Sequence, residues 1–175
     1  MREDTITTKV YEFKELSDEA KEAAIQNLAD INVDYEWWDA IYEDAKNVGI
    51  KITEFDIGRG SYCRGDFIFN AEDVAKKITE EHGEFCETYK TANGFLAEFN
   101  KGKREHELSP DYDSEYEEFV DTGLYDDIMN EFKRSILEDY RIMLEKEYEY
   151  FTSEEAIIET IEANKYEFTE DGKLY

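Results

Sequence analysis

Proline occurs once in 175 residues, at Pro110. Proline breaks helix interiors because it lacks a backbone N–H. Its scarcity leaves most of the chain open to helix and excludes a proline-rich linker or recognition segment. Cysteine occurs twice, at Cys63 and Cys86. Their spacing is neither a metal nor a redox pattern, which excludes a disulfide scaffold. One disulfide is possible, and a reduced cytoplasmic setting is the expectation. The two histidines, His82 and His106, have no nucleophile patterned around them. His82 and Cys86 are four apart, but Gly83 ends a helix between them and two further zinc ligands are missing. There is no phosphate-cradling glycine loop and no nucleophile elbow. No apolar run approaches the ~18 residues of a membrane span, and MREDTITTKVYEF has no apolar signal-peptide core.

Basic residues are also few. Against 46 Asp and Glu stand 20 Lys and Arg, a net charge of -26. Such a surface repels nucleic acid and anionic lipid and attracts basic proteins. At 41% hydrophobic and 15% aromatic residues, the chain is too apolar for a disordered acidic tail. A folded core is expected.

The hydrophobic periodicity indicates an α+β fold, mostly helical. Ile6 to Phe13 reads as a strand. Ser17 caps a helix with Ala20, Ala24, Ile25 and Leu28 on one face. A second helix spans VDYEWWDAIYEDAKNVG and stops at Gly49. Ile50 to Ile57 alternates as a half-buried strand, and GRGSYCRGDFIF turns back into another. Its Arg59 and Arg64 are expected to pair with the chain's own acids. A helix opens at Asn70 or Ala71. EFCETYKTANGFLAEFN reads as helix interrupted near Asn93-Gly94, and residues 100 to 114 as a loop. A long helix covers Leu124 to Phe151, with Ile128, Phe132, Ile136, Tyr140, Met143 and Leu144 as its apolar stripe. Another follows Thr152 or Ser153, and Asp171-Gly172 signals a closing hairpin. The expectation is a single domain, 1–175, with a helical insertion around 85–125. Its small antiparallel sheet draws on N-terminal, central and C-terminal strands.

Forty-six carboxylates spread evenly over roughly 8,900 Å² would stand ~14 Å apart. Duplex DNA carries a phosphate every ~3.4 Å of axis per strand. Only clustering can imitate it. Helical neighbours at i,i+3 and i,i+4 lie ~5–6 Å apart. From Glu105 to Phe132 there is no Lys or Arg. Within that span Asp113, Glu117 and Asp121 share such spacing, as do Asp111, Glu115 and Glu118. Asp126, Asp127 and Glu131 extend the series. Asp34, Glu36, Asp39, Glu43 and Asp44 form a second run, and Glu147, Glu149, Glu154, Glu155, Glu159 and Glu162 a third. Tyr112, Tyr116 and Phe119 lie on one face of the first run if it is helical. They bury against the body or anchor a partner. Of the pair Trp37 and Trp38, on different faces of one helix, Trp37 is expected to be exposed and available for contact. An EF-hand reading of Asp111, Asp113 and Glu115 fails, because Tyr116 stands where Gly is required and Thr122 where a bidentate Glu is required. No cofactor or metal is indicated, and no catalytic constellation.

YEFKELSDEAKEAAIQN, VDYEWWDAIYEDAKNVGIKITEFDIGRGSYCRGDF and YEYFTSEEAIIETIEANKYEFTEDGKLY resemble a family of small acidic proteins from bacteriophages and mobile elements, some labelled antitoxin-like. The resemblance covers the first ~70 residues and the last ~30, and brings no catalytic motif. It implies a phage setting inside a bacterial host cell. Small acidic proteins of that setting often look like inhibitors of host defence, so the resemblance implies an anti-CRISPR or antirestriction inhibitor that occupies a basic DNA- or RNA-binding channel of a CRISPR effector nuclease or restriction enzyme. The competing expectations are an antitoxin against a basic toxin, a metal-dependent nuclease acting on guide RNA, and a structural protein whose solvated acidic coat serves solubility.

Overall fold

The structure is a computed structural model that describes residues 9–109 and 119–175, without the side chain of Asp121. Among the described residues the fold is α+β and 61% helical, with six α-helices and two antiparallel two-stranded sheets. The strands come from the chain regions expected, but they form two separate sheets instead of one. The chain divides into two compact units, one within Met1–Trp37 and Lys146–Tyr175, the other within Trp38–Glu145.

The first unit joins the two ends of the chain. Strand β1, Tyr11–Glu12, pairs antiparallel with β4, Glu167–Phe168, Tyr11 opposite Phe168. A 3₁₀ turn, Phe13–Glu15, follows, so that of the strand expected over Ile6 to Phe13 only Tyr11–Glu12 is strand among the described residues. The turn points Phe13 and Leu16 inward instead of continuing the ladder. Helix α1, Asp18–Asn27, starts where the Ser17 hydroxyl accepts from the Ala20 N–H at 3.2 Å. Helix α6, Glu154–Asn164, starts the same way, Ser153 accepting from Ala156. Between these helices and β4, Phe13, Leu16, Ala20, Ala24, Ile157, Ile161 and Phe168 form one buried cluster. Asn32 is buried with both amide groups satisfied. Its Nδ2 donates to the Phe151 carbonyl at 3.1 Å, and its Oδ1 accepts from the Thr160 hydroxyl at 2.7 Å. The closing turn has Gly172 at φ 78°, and a Cβ there would overlap the Ala20 carbonyl oxygen.

The second unit is built on a hairpin. Helix α2, Asp39–Asn47, ends at Gly49, whose φ of 93° reverses the chain directly into β2, Ile50–Asp56. Strand β3, Tyr62–Phe67, returns antiparallel with a bulge between Ile52 and Glu54. Residues directly opposite in such a ladder share a face. Ile50 and Ile52 thus lie with Phe67 and Gly65 toward the core, while Lys51 and Asp66 lie on the other face. Helix α3, Ala71–Glu81, is capped by Asn70 accepting from the Asp73 N–H at 2.8 Å.

Helix α4 runs unbroken from Glu87 to Glu107. Two expectations fail here: the break at Asn93-Gly94 and the loop from residue 100. Gly94 is exposed and meets nothing, so its cost is only about 1 kcal/mol of propensity. The buried face Ala92, Phe95, Phe99 and Gly102 keeps helical period through residue 102. Gly102 is small because the Phe119 ring packs against it. Helix α5, Gly123–Phe151, buries Phe132, Ile136, Leu137, Tyr140 and Leu144. Phe132 stacks on Phe95 at 4.3 Å between ring centroids and meets Phe67 at 5.3 Å. The α5 residues through Glu145 belong to this unit and the rest to the other. Among the described residues no helix is long and apolar enough to cross a membrane.

Candidate functional site

Three arrangements emerge: a partly neutralised acidic surface, a part-buried polar cluster, and an open groove. Many carboxylates are consumed internally. Glu54 accepts from the Tyr62 hydroxyl at 2.6 Å and from Arg64 at 2.9 Å, and both contacts hold it below the usual carboxylate range. The guanidinium of Arg64 also lies over the Tyr62 ring at 4.5 Å. This is the self-pairing expected of the hairpin arginines, shown for Arg64. Arg141 bridges Glu138 and Glu145 on α5 and donates to Ser61 Oγ at 3.1 Å, fastening the hairpin turn to the helix. Lys133 pairs with Asp66, Lys76 with Glu72, and Lys90 with Glu87.

Others have no cation. Asp126 and Asp127, in the first turns of α5, are exposed and have no ion pair among the described residues. Glu131, expected to continue that series, is neutralised by Arg134. On α6, Glu155, Glu159 and Glu162 fall at i, i+4 and i+7, all exposed. Lys14 lies within electrostatic reach of Glu162 but is itself paired to Glu12.

The helix ends carry a further signal. The macrodipole favours cations in a last turn and disfavours carboxylates, by about 0.3–1 kcal/mol each. Yet α3, α5 and α6 have no basic residue in their last turns. Glu80 and Glu81, Glu149, and Glu162 stand there instead. These acids are placed against helix stability.

Asp111, Tyr112, Asp113, Glu115, Tyr116, Glu117 and Glu118 lie outside the described residues, as does the Asp121 side chain. Trp37 requires correction. It is 8% exposed, with its ring 5.5 Å from that of Tyr148. Helix α2 begins only at Asp39, so the two tryptophans do not sit on opposite faces of one helix. The more exposed of the pair is Trp38, which meets Phe55 at 5.5 Å.

The polar cluster was invisible to pattern reading. His82 ends α3, and its Nδ1 is 2.7 Å from Thr88 Oγ1 near the start of α4. His82 Nε2 stands 3.4 Å from Asp44 Oδ1 without forming a hydrogen bond, so that contact is electrostatic. Asp44 Oδ2 accepts from the buried Tyr140 hydroxyl at 2.9 Å. His82 first, then Tyr140, holds the Asp44 carboxyl below its ordinary value against the opposing effect of burial. The order hydroxyl–imidazole–carboxylate is that of a nucleophilic triad, but Thr88 is 3% exposed and no substrate reaches it. It clasps α2, α3, α4 and α5 together. Cys63 and Cys86 are free, and burial pushes the Cys63 thiol up to about 11, which keeps it protonated and unreactive. Among the described residues no three His, Cys, Asp or Glu side chains converge on a metal position.

The groove holds about 510 Å³. One wall is a single face of α2, Asp39, Tyr42, Glu43 and Lys46, at i, i+3, i+4 and i+7. The hairpin supplies Ile50, Lys51, Ile52 and Ile68.

No family model, no curated protein and no solved structure matches the chain. Function is therefore argued from these surfaces.

Proposed function

We propose that the chain is a binding protein without chemistry, an acidic nucleic-acid mimic that occupies the basic DNA- or RNA-binding channel of a bacterial defence protein. In the phage setting that the sequence resemblance implies, this is an anti-CRISPR or antirestriction inhibitor, and its partner a CRISPR effector nuclease or restriction enzyme. The observation that carries the reading is the row Glu155, Glu159 and Glu162 along α6, exposed and without an ion pair among the described residues, with Glu162 set in a last turn where the helix dipole opposes it. Along α6 the row advances ~4.5–6 Å per charge, about half to three quarters the linear density of one DNA strand. Counterions gathered there are released when a cationic channel replaces them.

The test is displacement of target duplex from a guide-loaded CRISPR effector nuclease and from a restriction enzyme, followed by gel shift over a salt series. The parent protein should displace the duplex, less well as salt rises. A variant with Glu155, Glu159 and Glu162 changed to Gln, and Asp126 and Asp127 to Asn, should displace it about tenfold less well or worse. A second variant, with Asp113, Glu117 and Asp121 changed to Lys, probes the acids of 111–131. The Glu162→Gln change alone should raise folding stability by about 0.3–1 kcal/mol, and the circular dichroism spectrum of each variant separates lost binding from lost fold. Equal displacement by parent and variants at every salt concentration would remove the proposal.

A further inference from the structure

The α2–β2 groove carries charge of both signs in a fixed order. Asp39, at the start of α2, and Glu43, at its middle, are one helical turn apart, about 6 Å along its axis. Lys46 follows toward the C-terminal end, and Lys51 projects from the same face of the hairpin as the Gly49–Ile68 pair. None of the four is ion-paired among the described residues, although cations are scarce and neighbouring Asp66 is already taken by Lys133. Tyr42, Ile50, Ile52 and Ile68 line the same groove as these charges. Ile68 is 47% exposed, and the Tyr42 ring is half-buried beside it along the groove. A volume near 510 Å³ is of the size that accepts one or two side chains.

We infer that this groove docks a short segment of a partner protein with an apolar anchor residue, a basic side chain on one flank and a carboxylate on the other. The anchor covers Ile68 and Tyr42, the cation meets Asp39 and Glu43, and the carboxylate meets Lys46 and Lys51. Charge complementarity selects this occupant. A purely basic segment, drawn by the net charge of -26, leaves Lys46 and Lys51 unmatched, and a purely acidic one is repelled by Asp39, Glu43 and that net charge. A nucleic acid fails on the same ground. The contact is independent of the phosphate-mimicking row, because its anchor is apolar.

A random dodecapeptide library selected on the immobilised full chain in 0.5 M salt tests the inference, since about 0.5 M screens long-range attraction to the acidic coat. Enriched peptides should share an apolar residue with a basic residue on one side and an acidic residue or C-terminus on the other. Their affinity should fall about tenfold for Ile68→Ser. In the double variant Asp39→Lys, Glu43→Lys, selection should turn to peptides that lack the basic flank. All three positions are exposed, so a native-like circular dichroism spectrum is expected for each variant. Failure to enrich any shared pattern overturns the inference. So does binding to both variants as tight as to the parent. Either result leaves duplex displacement untouched, so the two proposals fail separately.

Discussion

Asp44 and Asp139 meet opposite electrostatic conditions within one unit. Asp44 is held below its ordinary value of 3.8 by His82 and Tyr140. Asp139 is raised above it, chiefly by burial, although the Thr91 hydroxyl donates to it at 2.7 Å. A depressed carboxyl contributes stability above the unfolded value and loses it as pH falls through the folded one. A raised carboxyl costs stability once pH climbs above the unfolded value. Asp44→Asn should therefore lower the urea midpoint at about pH 7, with the deficit closing below about pH 4. Asp139→Asn should raise the midpoint at about pH 7 and change nothing at about pH 3, since the amide oxygen still accepts from Thr91. Urea titrations of both variants across that range check the signs, and a shift in the same direction for both at neutral pH contradicts this account. None of this was legible in sequence. Asp44 read as one more surface acid in a run, because Tyr140, its hydroxyl donor, is brought to it only by packing of α5. Trp37 misled for the same reason: a helical wheel was drawn through a segment that is not helix.

Helix starts were the most legible elements. Ser17, Asn70 and Ser153 each precede acids in a first turn, and each cap bonds as expected. The signal is local, so a sequence carries it whole. Helix α4 shows the limit. Its glycines argued for a break, but Phe95 and Phe99 bury against Phe132 and Phe119, and that tertiary gain exceeds the propensity loss. The closing hairpin at Asp171-Gly172 was also read correctly, though its use was not. Gly172 is needed twice, for a φ of 78° and for contact with the α1 backbone at Ala20. Gly172→Ala should destabilise the protein by about 2–4 kcal/mol, measured as a lowered thermal midpoint. An unchanged midpoint would mean the turn does not rest on α1.

Net charge was fully legible, and its consequence belongs to the entire molecule. A charge of -26 opposes compaction through self-repulsion. Salt should therefore stabilise the fold, with the thermal midpoint rising between about 0.01 M and about 1 M NaCl, as the Debye length falls from about 30 Å to about 3 Å. Calorimetry at several salt concentrations measures this, and a flat profile would mean that internal pairs such as Arg141 with Glu138 and Glu145 already balance the field. The division into two units was not legible, because strand pairing between distant chain ends leaves no local trace. That pairing also dictates an order of assembly. Residues Trp38–Glu145 are contiguous and emerge from the ribosome ready to close on themselves. Tyr11, Phe13 and Leu16 are made well before their partners Ile157, Ile161 and Phe168, so these apolar residues wait for their cover while the intervening unit is synthesised.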